Sequence, residues 1–150
     1  MTIVAVSLGS NLGDRSAHLD YAMSRLRSHL TNVRVSRYYE TDPIGVPGPQ
    51  PLFLNAAAVG PTDASARDLL HALLEIEAER GRERPHPGAA RTLDLDLVLY
   101  GSCVLDEPGL IVPHPRFRER RFVLEPLTEI APELVDPVTG LTAGELLARL

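Results

Sequence analysis

Lysine is absent from all 150 residues; every one of the 15 basic residues is arginine. This excludes a Schiff-base or P-loop lysine, so any phosphate must be met by guanidinium groups, whose planar forks match its oxygens. Cys103 is the single cysteine. An intrachain disulfide and a thiolate metal cluster are excluded, and a reducing cytoplasm fits. No apolar run reaches the roughly 18 residues that a bilayer demands, so no membrane partner is expected. The opening Met1-Thr2-Ile3-Val4-Ala5-Val6 lacks a basic leader, which predicts no secretory signal. Positive charge is not in excess either: the formal net charge of −5 argues against nucleic acid as a partner.

What is present is ordinary for a globular chain, 44% hydrophobic and 23% charged. A chain of this size can bury a sizeable core without staples and is read as one domain, residues 1–150. The arginines are unevenly placed. Arg80, Arg82, Arg84 and Arg91 lie close together, and Arg116, Arg118, Arg120 and Arg121 form a second group. Two such clusters in an acidic chain suit either a small polyanionic ligand or a solvated charged surface.

Between the clusters runs Thr92-Leu93-Asp94-Leu95-Asp96-Leu97-Val98-Leu99-Tyr100. Its alternation reads as a strand with Leu93, Leu95, Leu97 and Leu99 on one face and Asp94, Asp96, Val98 and Tyr100 on the other. Carboxylates two residues apart on a strand sit roughly 7 Å apart and repel by about 2 kcal/mol at an effective dielectric near 20. A divalent cation reverses that sign, and magnesium favours one or two carboxylates completed by substrate phosphates. On its own such a pair reads first as a polar face that meets water, and the flanking sequence has to decide.

The rest of the chain supplies the frame. A buried strand over residues 2–8 leads through Gly9-Ser10-Asn11-Leu12-Gly13-Asp14 into a helix over 15–30 with Leu19, Ala22, Met23, Leu26 and Leu30 on one face. Asp14 is placed to cap it. Residues 33–39 read as a strand. Residues 40–51 hold four prolines and two glycines, a stiff loop able to wall a pocket. The strand over 52–59 sets Leu54, Ala56 and Ala58 on one face and Phe53, Asn55 and Ala57 on the other. Phe53 beside Asn55 suits a planar heterocycle, the ring stacking and the amide reading an edge, although Asn55 could instead bond nearby backbone.

A second helix starts at Thr62, Asp63 or Ser65 and ends at Gly81, with Leu69, Leu73 and Ile76 as its stripe and Glu77 at the edge of it. Residues 82–91 carry arginines, two prolines and a glycine and read as a mobile loop able to close over phosphates. Gly101-Ser102 signals a tight turn, and residues 103–112 a short hairpin. A helix over 123–130 accommodates Pro126 if it falls in the first turn. Thr142 with Glu145 opens a last helix with a capping box. The order is that of a ferredoxin-like βαββαβ α+β sandwich with an appended hairpin and C-terminal helices. Its helix-free face carries Phe53, Asn55, Asp94 and Asp96.

These pieces resemble one family nearly end to end. Ser7-Leu8-Gly9-Ser10-Asn11-Leu12-Gly13-Asp14, Tyr39-Glu40-Thr41-Asp42-Pro43, Phe53-Leu54-Asn55, Ile76-Glu77 with Gly81-Arg82, Arg91-Thr92-Leu93-Asp94-Leu95-Asp96, Val112-Pro113-His114-Pro115-Arg116 and Glu129-Ile130-Ala131-Pro132-Glu133-Leu134 are similar to hydroxymethyl-dihydropterin pyrophosphokinase, an enzyme family of folate synthesis. The resemblance implies transfer of pyrophosphate from ATP to the hydroxymethyl group of a reduced pterin, with release of AMP. It implies that Asp94 and Asp96 hold two magnesium ions and that Arg82 and Arg91 clamp the phosphates. Glu77, Arg84, His114 and Arg120 are implied on the nucleotide side. Thr41, Pro43, Ile44, Gly45, Phe53, Asn55 and Phe122 are implied around the pterin, with the two phenylalanines sandwiching its ring. Arg82, Arg91 and Asp96 are then the catalytic candidates, Asp96 by assisting deprotonation of the attacking hydroxyl.

The chain departs from the family pattern at Leu74, where some members carry Gln, at Gly88-Ala89-Ala90, where an aromatic lid contact is missing, and at Gly109 and Pro115. Two other readings fit the residues without the resemblance: a nucleotidyl- or phosphoryltransferase with another acceptor, and a ferredoxin-like nucleotide-binding regulatory module without catalysis. Nothing in the sequence demands an oligomer, so a cytoplasmic monomer is expected.

Overall fold

The computed structural model describes residues 1–41, 52–81 and 92–150. Its centre is β1 (Thr2–Ser10), flanked antiparallel by β4 (Phe53–Thr62) and β5 (Asp94–Tyr100). The outer side of β4 is shared by two short strands, β2 (Arg34–Val35) and β3 (Tyr39–Thr41). With α1 (Arg15–Leu26) after β1 and α2 (Ala66–Glu79) after β4, the chain follows the split βαββαβ path of a ferredoxin-like sandwich, as the sequence pattern predicts. β6 (Leu105–Glu107) and β7 (Leu110–Val112) form a separate two-stranded ribbon.

The two sheet faces are covered by different helices. Val4, Val6, Leu8, Leu95 and Leu97 pack under α1 and α2 with Leu19, Leu26, Leu69, Leu73 and Ile76. On the opposite face Ala5, Ala57, Val59, Val98 and Leu99 meet Phe117 and the apolar sides of α3 (Arg121–Ile130) and α4 (Ala143–Ala148). This second core occupies one end of its face, and the face continues past it to Asn55, Gly9 and Asp94.

Five expectations are corrected. The face that carries Asn55 and Asp94 is not helix-free, because the apolar sides of α3 and α4 bury Ala57, Val59 and Val98 at one end of it. Leu99 does not share a face with Leu97: Val6 pairs with Leu97 while the adjacent Ala5 pairs with Leu99, so Val98 is an extra residue and the alternation inverts there. Tyr100 correspondingly packs against the first core. The first helix stops at Leu26, and Leu30 reaches the core from the following turn, its N–H bonded to the Leu26 carbonyl at 2.8 Å. The strand over 33–39 is split, because the Ser36 hydroxyl accepts the Ala57 N–H (2.9 Å) in place of a backbone carbonyl. Pro126 lies in the second turn of α3, not the first, so the helix forgoes the bond its N–H would make.

The caps are as anticipated: Asp14 accepts from Ala17, Ser65 from Asp68, and Thr142 and Glu145 complete a capping box. The Gly101 turn forms with φ +54°, but the strand beyond it pairs with β7 rather than with β5. Among the described residues no helix is long and apolar enough to cross a membrane.

Candidate active site

Antiparallel register puts directly opposed residues on one face. Asn55 on β4, Gly9 on β1 and Asp94 on β5 therefore make one row, and Ala57, Ser7 and Asp96 make the next. The rows place a carboxamide and a carboxylate two strands apart, about 10 Å at the usual strand spacing. Gly9 keeps the floor between them low. A Cβ there would fall 3.1 Å from Asn55 Oδ1 and 3.8 Å from Phe53 Cδ1.

The Asn55 amide is oriented by β3. Thr41 pairs with Phe53 and Tyr39 with Asn55, and Asn55 Nδ2 donates to Thr41 Oγ1. Oδ1 then faces the floor as an acceptor. β3 is itself tied to α3 by the Tyr39 hydroxyl donating to Glu129. Asn55 is only 4% exposed, so this amide is a positioned group rather than a surface one.

At the other end of the row Asp94 and Asp96 are both half-buried, with Leu95 and Leu97 turned to the helices. Among the described residues no third histidine, cysteine or carboxylate completes a protein cage for a metal. Two hard oxygen donors without a protein cage fit magnesium whose remaining coordination comes from phosphate and water.

His114 stands beside them. The extra residue in β5 frees the Val98 carbonyl to accept the His114 N–H at 2.9 Å, so the bulge anchors the histidine. Burial, and then the charge of Arg120, push the His114 pKa below its ordinary value; Asp94 pulls it up, and Arg116 lowers it further. These couplings bring His114, Arg120 and Asp94 into one neighbourhood. His114 Nδ1 accepts the Arg116 N–H at 3.1 Å, so the neutral ring carries its proton on Nε2 and offers it as a donor. The Arg120 guanidinium lies 5.5 Å from the centre of the Phe122 ring, which links the two residues nominated for nucleotide and pterin.

A cleft of about 290 Å³ adjoins this group, lined by Leu70, Leu95, Asp96, Leu97, Gly109, Leu110, Ile111, Val112, His114 and Pro115. It is apolar along α2 and β7 and polar at Asp96 and His114. A larger depression, about 560 Å³ around Arg27, His29, Asn32 and Asp63, holds none of the nominated residues. Sequence reasoning nominated Asp96 and His114 but missed the apolar lining, which is dispersed over three elements. Leu74 is 46% exposed on α2. Glu77, expected on the nucleotide side, is 2% exposed and accepts the Leu95 N–H at 2.7 Å. Arg82, Arg84 and Arg91, with Pro43, Ile44 and Gly45, lie outside the described residues.

The family model for 7,8-dihydro-6-hydroxymethylpterin-pyrophosphokinase (HPPK) matches residues 5–132. A 2-amino-4-hydroxy-6-hydroxymethyldihydropteridine pyrophosphokinase of Pseudomonas aeruginosa is 43% identical over 147 residues, 97% of this chain and 90% of that protein. Its namesake in Bacillus subtilis is 42% identical over 140 residues, 92% of this chain and 83% of that one. A solved wild-type HPPK-DHPS of Plasmodium falciparum superposes with a TM-score of 0.75 at 14% identity. It covers 99% of this chain, which spans only 43% of that longer one.

Proposed function

This chain belongs to the 7,8-dihydro-6-hydroxymethylpterin-pyrophosphokinase family, and from that premise we propose that it transfers pyrophosphate from ATP to the hydroxymethyl group of 6-hydroxymethyl-7,8-dihydropterin in folate synthesis. The observation that carries the proposal is the row Asn55, Gly9, Asp94: a buried, oriented carboxamide and a half-buried carboxylate share one sheet face with a side-chain-free floor between them.

In this reading Phe53 stacks on the pterin and Asn55 Oδ1 accepts from its ring donors. Thr41 and Phe122, with Pro43, Ile44 and Gly45, complete the enclosure. The adenine enters the apolar cleft between Leu70 and Ile111, and His114 Nε2–H and Arg120 meet its phosphates. Asp94 and Asp96 hold two magnesium ions, and Arg82, Arg84 and Arg91 bring further positive charge to the triphosphate. Magnesium bound there supplies charge neutralisation on the phosphate oxygens and lowers the pKa of the oxygens it touches.

The hydroxymethyl oxygen attacks the β-phosphorus. The bond from that phosphorus to the α,β-bridging oxygen breaks, AMP departs with that oxygen, and the hydroxyl proton is lost with assistance from Asp96. Such a transfer asks mainly for position and charge. Arginines placed where charge develops can each contribute several kcal/mol. Residues 1–150 act in this reading as one domain, monomeric and cytoplasmic.

The test is product analysis. AMP must form from ATP only when both magnesium and the hydroxymethyl-pterin are present. ADP as product would make the chain an ordinary kinase, and nucleotide binding without turnover would make it a regulatory module.

A further inference from the structure

Glu77 sits where an apolar residue would complete the stripe of α2. Leu69, Leu73 and Ile76 around it are 0–1% exposed and face the sheet, and Glu77 itself is 2% exposed. A buried carboxylate is costly unless its oxygens are used. One use is visible: Oε2 accepts the backbone N–H of Leu95 at 2.7 Å, the short distance of a charge-assisted bond. Among the described residues β5 is an edge strand of the sheet, and its outward N–H groups meet no further strand there. Leu95 is the residue between Asp94 and Asp96. Its side chain points to the helices and theirs point to the opposite face.

We infer that Glu77 is a positioning residue for the metal-binding pair, acting through the Leu95 backbone rather than as a ligand of the nucleotide; the inference rests on the reading of Asp94 and Asp96 as magnesium ligands. The geometry gives the bond a mechanical task. Asp94 and Asp96 carry like charge, and the Leu95 peptide between them sets their spacing. On an outer strand that peptide can twist away from the sheet unless something beyond the strand holds it. A carboxylate fixed in the helix layer holds that peptide by its N–H, so the two side chains keep their spacing whether or not the cation is present. The helix that does this also lines the cleft at Leu70, two turns earlier, which ties the metal ligands to the wall of the proposed adenine site.

The test compares wild type, Glu77→Gln and Glu77→Met. Gln keeps an oxygen acceptor for the Leu95 N–H, whereas Met fills the space and leaves that donor unpaired. Manganese binding is followed by electron paramagnetic resonance with a non-hydrolysable ATP analogue, nucleotide binding is measured separately in EDTA, and Leu95 amide exchange is followed by NMR. Loss of the bond is expected to weaken manganese binding about tenfold or more in Glu77→Met and within about threefold in Glu77→Gln. Metal-free nucleotide affinity stays unchanged in all three, and the Leu95 amide loses exchange protection only in Glu77→Met.

The inference is overturned if folded Glu77→Met binds manganese like wild type, or if both variants lose nucleotide binding in EDTA, which would mark a direct ligand. Should Glu77→Met fail to fold, Glu77→Gln decides alone: a protected Leu95 amide with manganese affinity retained supports it, and an unprotected amide with that affinity retained overturns it. Absence of AMP formation by wild type would instead sink the pyrophosphokinase reading and leave the manganese and exchange measurements standing.

Discussion

Gly9 and Asn55 face each other across the β1–β4 ladder so closely that a methyl group on Gly9 would stand 3.1 Å from Asn55 Oδ1. The amide cannot simply swing away, since its Nδ2 is engaged by Thr41. Gly9→Ala is therefore expected to raise the KM for the pterin about tenfold, equivalent to about 1.4 kcal/mol. The KM for ATP should stay within about threefold, because the cleft at Leu70 and Ile111 is unaffected. Steady-state kinetics with each substrate varied in turn checks this, with circular dichroism to establish that the fold is kept.

Asp94 and Asp96 differ in their neighbours although they share a face. Asp94 is opposite Gly9 and influences His114; Asp96 is opposite Ser7 and lines the cleft. In the proposed reading each is one of two carboxylates that hold magnesium, so replacing either by Ala is expected to lower kcat by about 10³-fold or more. If Asp96 also assists the hydroxyl, Asp96→Ala stays inactive at saturating magnesium, whereas Asp94→Ala recovers part of its rate as magnesium is raised. Near-normal turnover by Asp96→Ala would remove it from the mechanism.

His114 offers a titration that reads the site without turnover. Its pKa is lowered by burial and by Arg120, and Asp94 opposes the shift. A histidine that binds protons less readily folded than unfolded contributes fully above pH about 6.5, and the contribution is lost as pH falls below that value. Protonation of Nδ1 also breaks its bond from the Arg116 N–H. Asp94→Asn is expected to lower the His114 pKa further, observed by NMR of the imidazole protons; a rise would show that Asp94 does not act on this ring.

Much of the fold was legible because it rests on local rules. The caps at Asp14, Ser65 and Thr142 and the stripe of α2 are set by residues three or four apart. The departures come from long-range terms. Nothing near Val98 in the sequence announces that β1 opposes β5 with one residue too many, yet that bulge moves Leu99 to the other core and anchors His114. The split at Ser36 depends on Ala57 across the sheet. In the site, charged residues stood out by chemistry, whereas Leu70, Leu97 and Ile111 became a cleft only through the meeting of α2, β5 and β7.

The segment that carries Arg120 and Phe122 is held from the far end of the chain. Arg118, in the 3-10 turn Phe117–Glu119, donates through Nε and Nη2 to Asp136, and its guanidinium lies 4.9 Å from the Phe117 ring centre. The Asp136 side chain is fully buried and also accepts from Val138 N–H and the Thr139 hydroxyl. Burial works to raise its pKa, but Arg118, Thr139 and Val138 outweigh that and hold it down at about 2. A carboxylate depressed in this way stabilises the fold above its unfolded value of 3.8, and the contribution disappears as pH falls through about 2. Asp136→Asn leaves Arg118 without its counter-charge, so it should cost about 3 kcal/mol at neutral pH. The difference from wild type should shrink steadily below pH 3.8, where the wild-type group loses its advantage. Urea unfolding of both proteins at a series of pH values measures this, and a gap that stays constant down to pH about 2 would show that the ion pair is not what holds the turn.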